Sequence, residues 1–146
     1  MAKSEKFPLN DLARRLKKVS ILGALSDSQL KTLAKWTEVV SFEAGETVVK
    51  NGDRGDGLYL ILDGSADVRR GTRSLARLGA GQFFGEMSLF DNQPRSADVV
   101  TLEPSRLAVL QKWEFWGFAA SQPGVVLSIL EEMSRRLRAA DQALET

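Results

Sequence analysis

Cysteine and histidine are both missing from the 146 residues of the chain. Without cysteine there are no disulfides, no thiolate metal sites and no cysteine nucleophile. Without histidine, zinc hydrolases of the usual kind, histidine-based triads and histidine haem ligation are excluded. An excess of charge of one sign is lacking as well: 20 Lys and Arg face 19 Asp and Glu, a net charge of +1. No global field therefore draws the chain toward nucleic acid or anionic lipid. Long apolar runs are absent, so no transmembrane segment is expected. The start, MAKSEKFPLN, has no apolar stretch of a signal peptide, and a cytoplasmic setting is expected. What is present suffices for folding. With 43% hydrophobic and 27% charged residues, one domain with a real core is expected rather than disorder.

The chain divides into three parts: an N-terminal helical segment over 1–36, a β-rich part over 37–111 and C-terminal helices over 112–146. In the first part Asn10 is a plausible N-cap for DLARRLKKV, with Leu12, Leu16 and Val19 on one stripe. Ser26 and Gln29 then form a capping box for a second helix whose apolar face is Leu30, Leu33 and Ala34. Residues 1–35 hold eight Lys or Arg against three acids. These basic residues form either a solvated face or a docking surface.

Nine of the twelve glycines lie between Gly45 and Gly85, a density that suits tight turns between short strands. TEVVSF, ETVVK, LYLILDG, SADVRR and RSLARL read as strands, and SADVVTL and SRLAVLQ resume the pattern after residue 96. In LYLILD, Tyr59 and Ile61 fall on one face and Leu58, Leu60 and Leu62 on the other. Both faces are apolar, so this strand is enclosed. About eight such strands imply a mainly β protein with flanking helices: an eight-stranded antiparallel barrel or jelly roll, a double-stranded β-helix.

KWEFWGFAAS then reads as a short aromatic helix, and Pro123 and Gly124 separate it from a longer one. The aromatic residues serve either as core between barrel and helix or as a hinge that senses a ligand. On the long helix, over 125–144, Val126, Leu130, Met133, Leu137, Ala140 and Leu144 are spaced 4, 3, 4, 3 and 4. Such a seam packs either on the chain's own barrel or on a second copy in a homodimer.

The segment that carries chemistry is GQFFGEMSLFDNQPRSADVV. Gly85, Glu86, Met87 and Ser88 can open a short helix with unpaired backbone N–H groups. Pro94 closes the following loop, and Arg95 stands just before the next strand, where its side chain can be held. N–H donors beside a fixed guanidinium suit a phosphate. Glu86 is wrong for phosphate but right for accepting from sugar hydroxyls. The two residues can thus hold the ends of one ribose-phosphate, or they can pair with each other or with neighbours.

This segment resembles the phosphate-binding cassette of the cyclic nucleotide-binding domains, found in catabolite activator proteins, kinase regulatory subunits and gated channels. The family pattern reads here as Phe84, Gly85, Glu86, Met87, Ser88, Leu89, then FDNQ, Pro94, Arg95, Ser96 and Ala97. Gly45-Glu46, Gly52-Asp53, Gly57, Tyr59 and LILDGSADV are similar to the family's early strands. The resemblance covers roughly residues 20 to 140. It implies that Arg95 holds a cyclic phosphate, that Glu86 binds the ribose 2′-hydroxyl, and that N–H groups near Gly85, Met87 and Ser88 add contacts. It also implies that a C-terminal helix covers the purine; Arg135, Arg136 and Arg138 on the 125–144 helix are candidates, with Arg135 and Arg138 the base-covering choice. Val49, Leu62 and Val99 are candidate apolar wall residues. Ser96 permits cAMP or cGMP; its occurrence in bacterial regulators favours cAMP.

The resemblance therefore implies a cyclic nucleotide sensor without an enzyme activity, cofactor or metal, signalling to an effector protein or a fused domain. No recognition-type helix follows the cassette, so direct DNA binding is not expected. The alternative is a protein-interaction module on the same fold that does not bind nucleotide.

Overall fold

A computed structural model of the chain describes residues 2–55, 57–91 and 93–145. Asn92 of the cassette loop lies outside them. The N-terminal part opens with a strand, β1 (Lys3–Glu5), followed by helices α1 (Leu9–Lys17) and α2 (Asp27–Lys35). Helix α1 starts one residue before the expected cap: Pro8 occupies the N-cap position, where its fixed φ and missing N–H cost nothing. Leu12 and Leu16 are buried as the 3.6-residue period requires. At α2 the capping box forms. Gln29 N–H donates to Ser26 Oγ at 3.2 Å, and Ser26 N–H donates to Gln29 Oε1 at 2.8 Å.

The middle of the chain supplies β2 (Glu38–Phe42), β3 (Thr47–Val49), β4 (Gly57–Asp63), β5 (Ser65–Arg70), β6 (Arg73–Gly79), β7 (Phe83–Phe84), β8 (Asp98–Thr101) and β9 (Ser105–Gln111). A single turn, α3 (Met87–Phe90), lies between β7 and β8. One sheet has the order β1-β2-β9-β4-β7 and the other β3-β8-β5-β6, every pairing antiparallel. The mainly β architecture with flanking helices is as expected, with nine strands among the described residues. The two sheets are not closed into the expected eight-stranded barrel. Among the described residues no ladder joins them, and the chain crosses from one to the other through turns and loops. The switch from β4 to β5 is made at Gly64, whose φ of +93° suits glycine. A Cβ there would run into the Ser105 side chain and lie 2.8 Å from the Pro104 carbonyl.

Strand β4 separates two hydrophobic cores. Leu58, Leu60 and Leu62 join α1, α2 and the C-terminal helices in the larger one, while Ile61 lies in the smaller one between the sheets, with Tyr59 packed against it. This is the two-faced burial that the alternation in LYLILD predicts. It also corrects one expectation: Leu62 belongs to the helical core and does not face the space beside the cassette. Full burial of side chains such as Phe83, Phe115 and Phe118 contributes about 1.5–3 kcal/mol each.

The end of the chain forms α4 (Lys112–Ser121) and α5 (Gly124–Glu145). Val125 and Ile129 of α5 are buried, and Val126 and Met133 pack against the same core. Leu130, Leu137 and Leu144 of the same seam are exposed. No helix among the described residues is long and apolar enough to cross a membrane.

Candidate functional site

The segment from β7 to β8 wraps one side of a cavity of about 670 Å³, within the range of small-molecule sites. Phe84, Gly85, Glu86, Met87, Ser88, Arg95, Ser96 and Ala97 all line it. Val49 and Val99 form part of the apolar wall, as expected, joined by Val68 and Leu78.

The chain turns from β7 into α3 at Gly85, with φ +87°. A Cβ there would lie 2.6 Å from the Gly57 carbonyl oxygen and 2.7 Å from Arg95 Nη1, so only glycine fits. Glu86 follows at the N-cap of α3 and is buried, as is Ser88. Met87 is 57% exposed at the cavity rim, and Ser96 is exposed as well.

Arg95 is held at its backbone and at its head. Its N–H donates to the Asp53 carbonyl at 2.7 Å, and its own carbonyl accepts from Gly52 N–H at 2.7 Å. The residue is 8% exposed. Nη2 donates to the Gly57 carbonyl at 3.0 Å, whereas Nε is buried without a partner. The guanidinium carbon lies 5.7 Å from the centre of the Tyr59 ring, which stacks on Phe84 at 4.9 Å. Burial pushes the Tyr59 hydroxyl pKa up; the Arg95 charge opposes this and Asp53 adds to it. A buried cation with a spare donor on the wall of a cavity is chemically suited to an anion, because leaving such a donor unmet is costly.

Glu86 and Arg95 do not pair with each other. Arg136 Nη1 of α5 donates to Glu86 Oε1 at 2.7 Å, and its Nη2 donates to the Phe83 carbonyl at 3.1 Å. The Arg136 head also covers the Phe83 ring at 4.6 Å. Of the three arginines considered on this helix, Arg136 reaches the cavity and Arg135 and Arg138 do not line it. Arg135 turns outward to Glu132, with Nε donating at 3.0 Å, and Arg138 is exposed. The reason is helical phase: position 136 lies seven residues after the buried Ile129, while 135 and 138 fall on the outer face. Glu132, one turn before Arg136, also lines the cavity. The sequence reading missed it, although its spacing from Ile129 and Arg136 is a usable signal. Among the described residues no group of three or more carboxylates is placed to hold a metal ion.

The cassette is joined to the C-terminal helices through α3. Trp116 Nε1 of α4 donates to the Leu89 carbonyl at 2.9 Å, and Phe90 meets Phe115 and Trp116 edge-on at 6.5 and 5.6 Å. Phe115 and Phe118 are buried core, whereas Trp113 is 68% exposed.

Comparison with known proteins places this geometry. The cyclic nucleotide-binding domain family matches residues 39–122. The catabolite activator protein of Thermus thermophilus superposes with a TM-score of 0.79 at 30% identity, covering 86% of this chain and 62% of that one. A cyclic nucleotide-binding domain from Methylobacillus flagellatus does so at 0.79 and 28%, covering 94% and 83%. The regulatory domain of Toxoplasma gondii PKA, crystallised with cAMP, gives 0.73 and 25%, covering 85% and 49%. The chain thus spans less than two thirds of the catabolite activator and about half of the kinase regulator. With the family match extending over more than half of its residues and the cassette walling a cavity of fitting size, the chain belongs to the cyclic nucleotide-binding domain family.

Proposed function

We propose that this chain is a sensor module that binds a cyclic nucleoside monophosphate, cAMP in the first place and cGMP as the alternative. The observation that carries this reading is the buried Arg95, whose Nε has no partner, on the wall of a cavity that also holds the Glu86 carboxylate. The guanidinium supplies charge and a two-pronged donor for the cyclic phosphate. Glu86 accepts from the ribose 2′-hydroxyl, and the backbone at Gly85, Met87 and Ser88 adds contacts. The valines and Leu78 line the space for the purine.

The role is binding, without catalysis, cofactor or metal. The Glu86–Arg136 pair places the sugar-binding carboxylate and the last helix in one electrostatic unit. A ligand that competes for Glu86 therefore acts on α5 directly, and a shift of α3 reaches α4 through Leu89 and Trp116. The signal passes to an effector protein or an attached domain in a cytoplasmic setting. The exposed leucines of α5 are assigned to a second copy of the chain, because their seam is spaced for a two-helix contact.

Calorimetric titration with cAMP and cGMP tests this reading. Saturable binding of either one, lost on Arg95→Gln, is the expected result. Absence of heat with both nucleotides at high micromolar concentration overturns it in favour of an interaction module on the same fold.

A further inference from the structure

We infer that Gly55, on the loop between β3 and β4 and outside the cassette, is a positioning residue for the anion-binding guanidinium; this rests on the nucleotide reading above. The guanidinium of Arg95 is threaded between two glycine backbones. On one side lies Gly85. On the other lies Gly55, where an added Cβ would collide with Nε, Cζ and Nη2 of Arg95 together. Those atoms form the edge that carries the unpartnered Nε and the Nη2 donating to Gly57. The same loop grips the Arg95 main chain through Gly52 and Asp53. One loop thus sets both the position of the arginine backbone and the direction in which its head lies.

Gly55 has no positive φ, so no left-handed backbone calls for glycine here. The missing side chain is needed for the neighbour alone. An alanine here would be accepted by the loop in isolation, and the guanidinium would have to leave its slot. The donors aimed at the phosphate would then be misplaced, with a loss of affinity comparable to a charge-assisted hydrogen bond, about tenfold or more.

Two measurements on the full chain test this. The first is a stability cycle without ligand: wild type, Gly55→Ala, Arg95→Ala and the double variant, unfolded in urea. The expected result is that Gly55→Ala lowers the midpoint when Arg95 is present and lowers it little or not at all once Arg95→Ala has emptied the slot. Equal effects in both backgrounds overturn the inference. The second is calorimetry with cAMP. Gly55→Ala is expected to weaken binding by about tenfold or more while the chain remains folded. Wild-type affinity in Gly55→Ala overturns the positioning role. A wild-type chain that binds neither nucleotide overturns the sensor reading and the ligand half of this inference, while the urea cycle judges the slot by itself.

Discussion

Arg136 in the middle of α5 and Glu86 at the head of α3 form an ion pair of 2.7 Å across the candidate site, fifty residues apart in sequence. The carboxylate is buried and the guanidinium partly so, at 35% side-chain exposure. Replacing Arg136 by Gln leaves the buried carboxylate with a weaker partner and frees α5 from the cassette. We expect a loss of about 1–3 kcal/mol, below the full cost for a buried pair because solvent reaches the arginine. We also expect faster hydrogen exchange along residues 130–145. Unchanged exchange there would show that the pair does not anchor the helix.

Arg95→Gln separates binding from folding. The wild-type side chain makes one bond, from Nη2 to the Gly57 carbonyl, beside an unmet buried Nε, so its removal from the unliganded protein costs only about 0.5–1.5 kcal/mol. Nucleotide binding should fall by about a hundredfold or more, since the phosphate charge loses its partner. Urea midpoints and calorimetry on the same preparations read the two effects. A large stability loss with binding retained would reverse the assignment.

Trp116→Phe keeps an aromatic ring against Phe90 and removes the indole donor to the Leu89 carbonyl, a 2.9 Å bond, along with part of the ring surface. The expected cost is about 0.5–1.5 kcal/mol. The more telling outcome concerns coupling: ligand-induced protection from hydrogen exchange in α4 should shrink while affinity changes little. Full retention of that protection would exclude this bond as a link between cassette and helices.

Leu137 is 65% exposed and lies on the apolar seam of α5. Leu137→Glu removes nothing from the chain's own core. If the seam joins two copies, sedimentation should shift from dimer to monomer without a drop in monomer stability. A wild-type chain that is already monomeric at high micromolar concentration would leave the seam without this role.

Asp63 accepts from Arg15 and from Arg106, the latter at 2.6 Å from Nε, and so ties α1 to β4 and β9. Burial works to raise its pKa, but the hydrogen bond and charge of Arg106, together with Arg15, outweigh it and hold the carboxyl below its usual value. Asp67 is held low in the same sense by donors from Ser74 and Arg69. A lowered folded-state pKa means that the stabilisation is complete above the unfolded-state value of about 3.9 and is lost as pH falls through the folded-state value. Thermal unfolding followed from pH 7 downward should therefore show an acid-side loss that is smaller in Asp63→Asn. An equal loss in that variant would place the acid sensitivity elsewhere.

How far the sequence reaches depends on the range of the forces involved. The capping box of α2, the two-faced burial of β4, the bounds of α4 and the cassette residues on the cavity wall were all legible, because each is set by periodicity, local hydrogen bonding or a contiguous motif. Strands β1 and β7 were not, since three and two residues carry too little pattern and owe their form to a neighbouring strand. Nor did sequence pick the right arginine of α5: it favours Arg135 and Arg138, whereas Arg136 is the one that lines the cavity. That choice follows from the phase at which α5 meets the core through Val125 and Ile129. The helix content, the strand alternation and the cassette segment that walls the cavity were determined by the chain itself. The open arrangement of the two sheets, the partner of Glu86 and the glycine slot around Arg95 were decided by tertiary packing, because they join segments distant in sequence whose separation no local rule encodes.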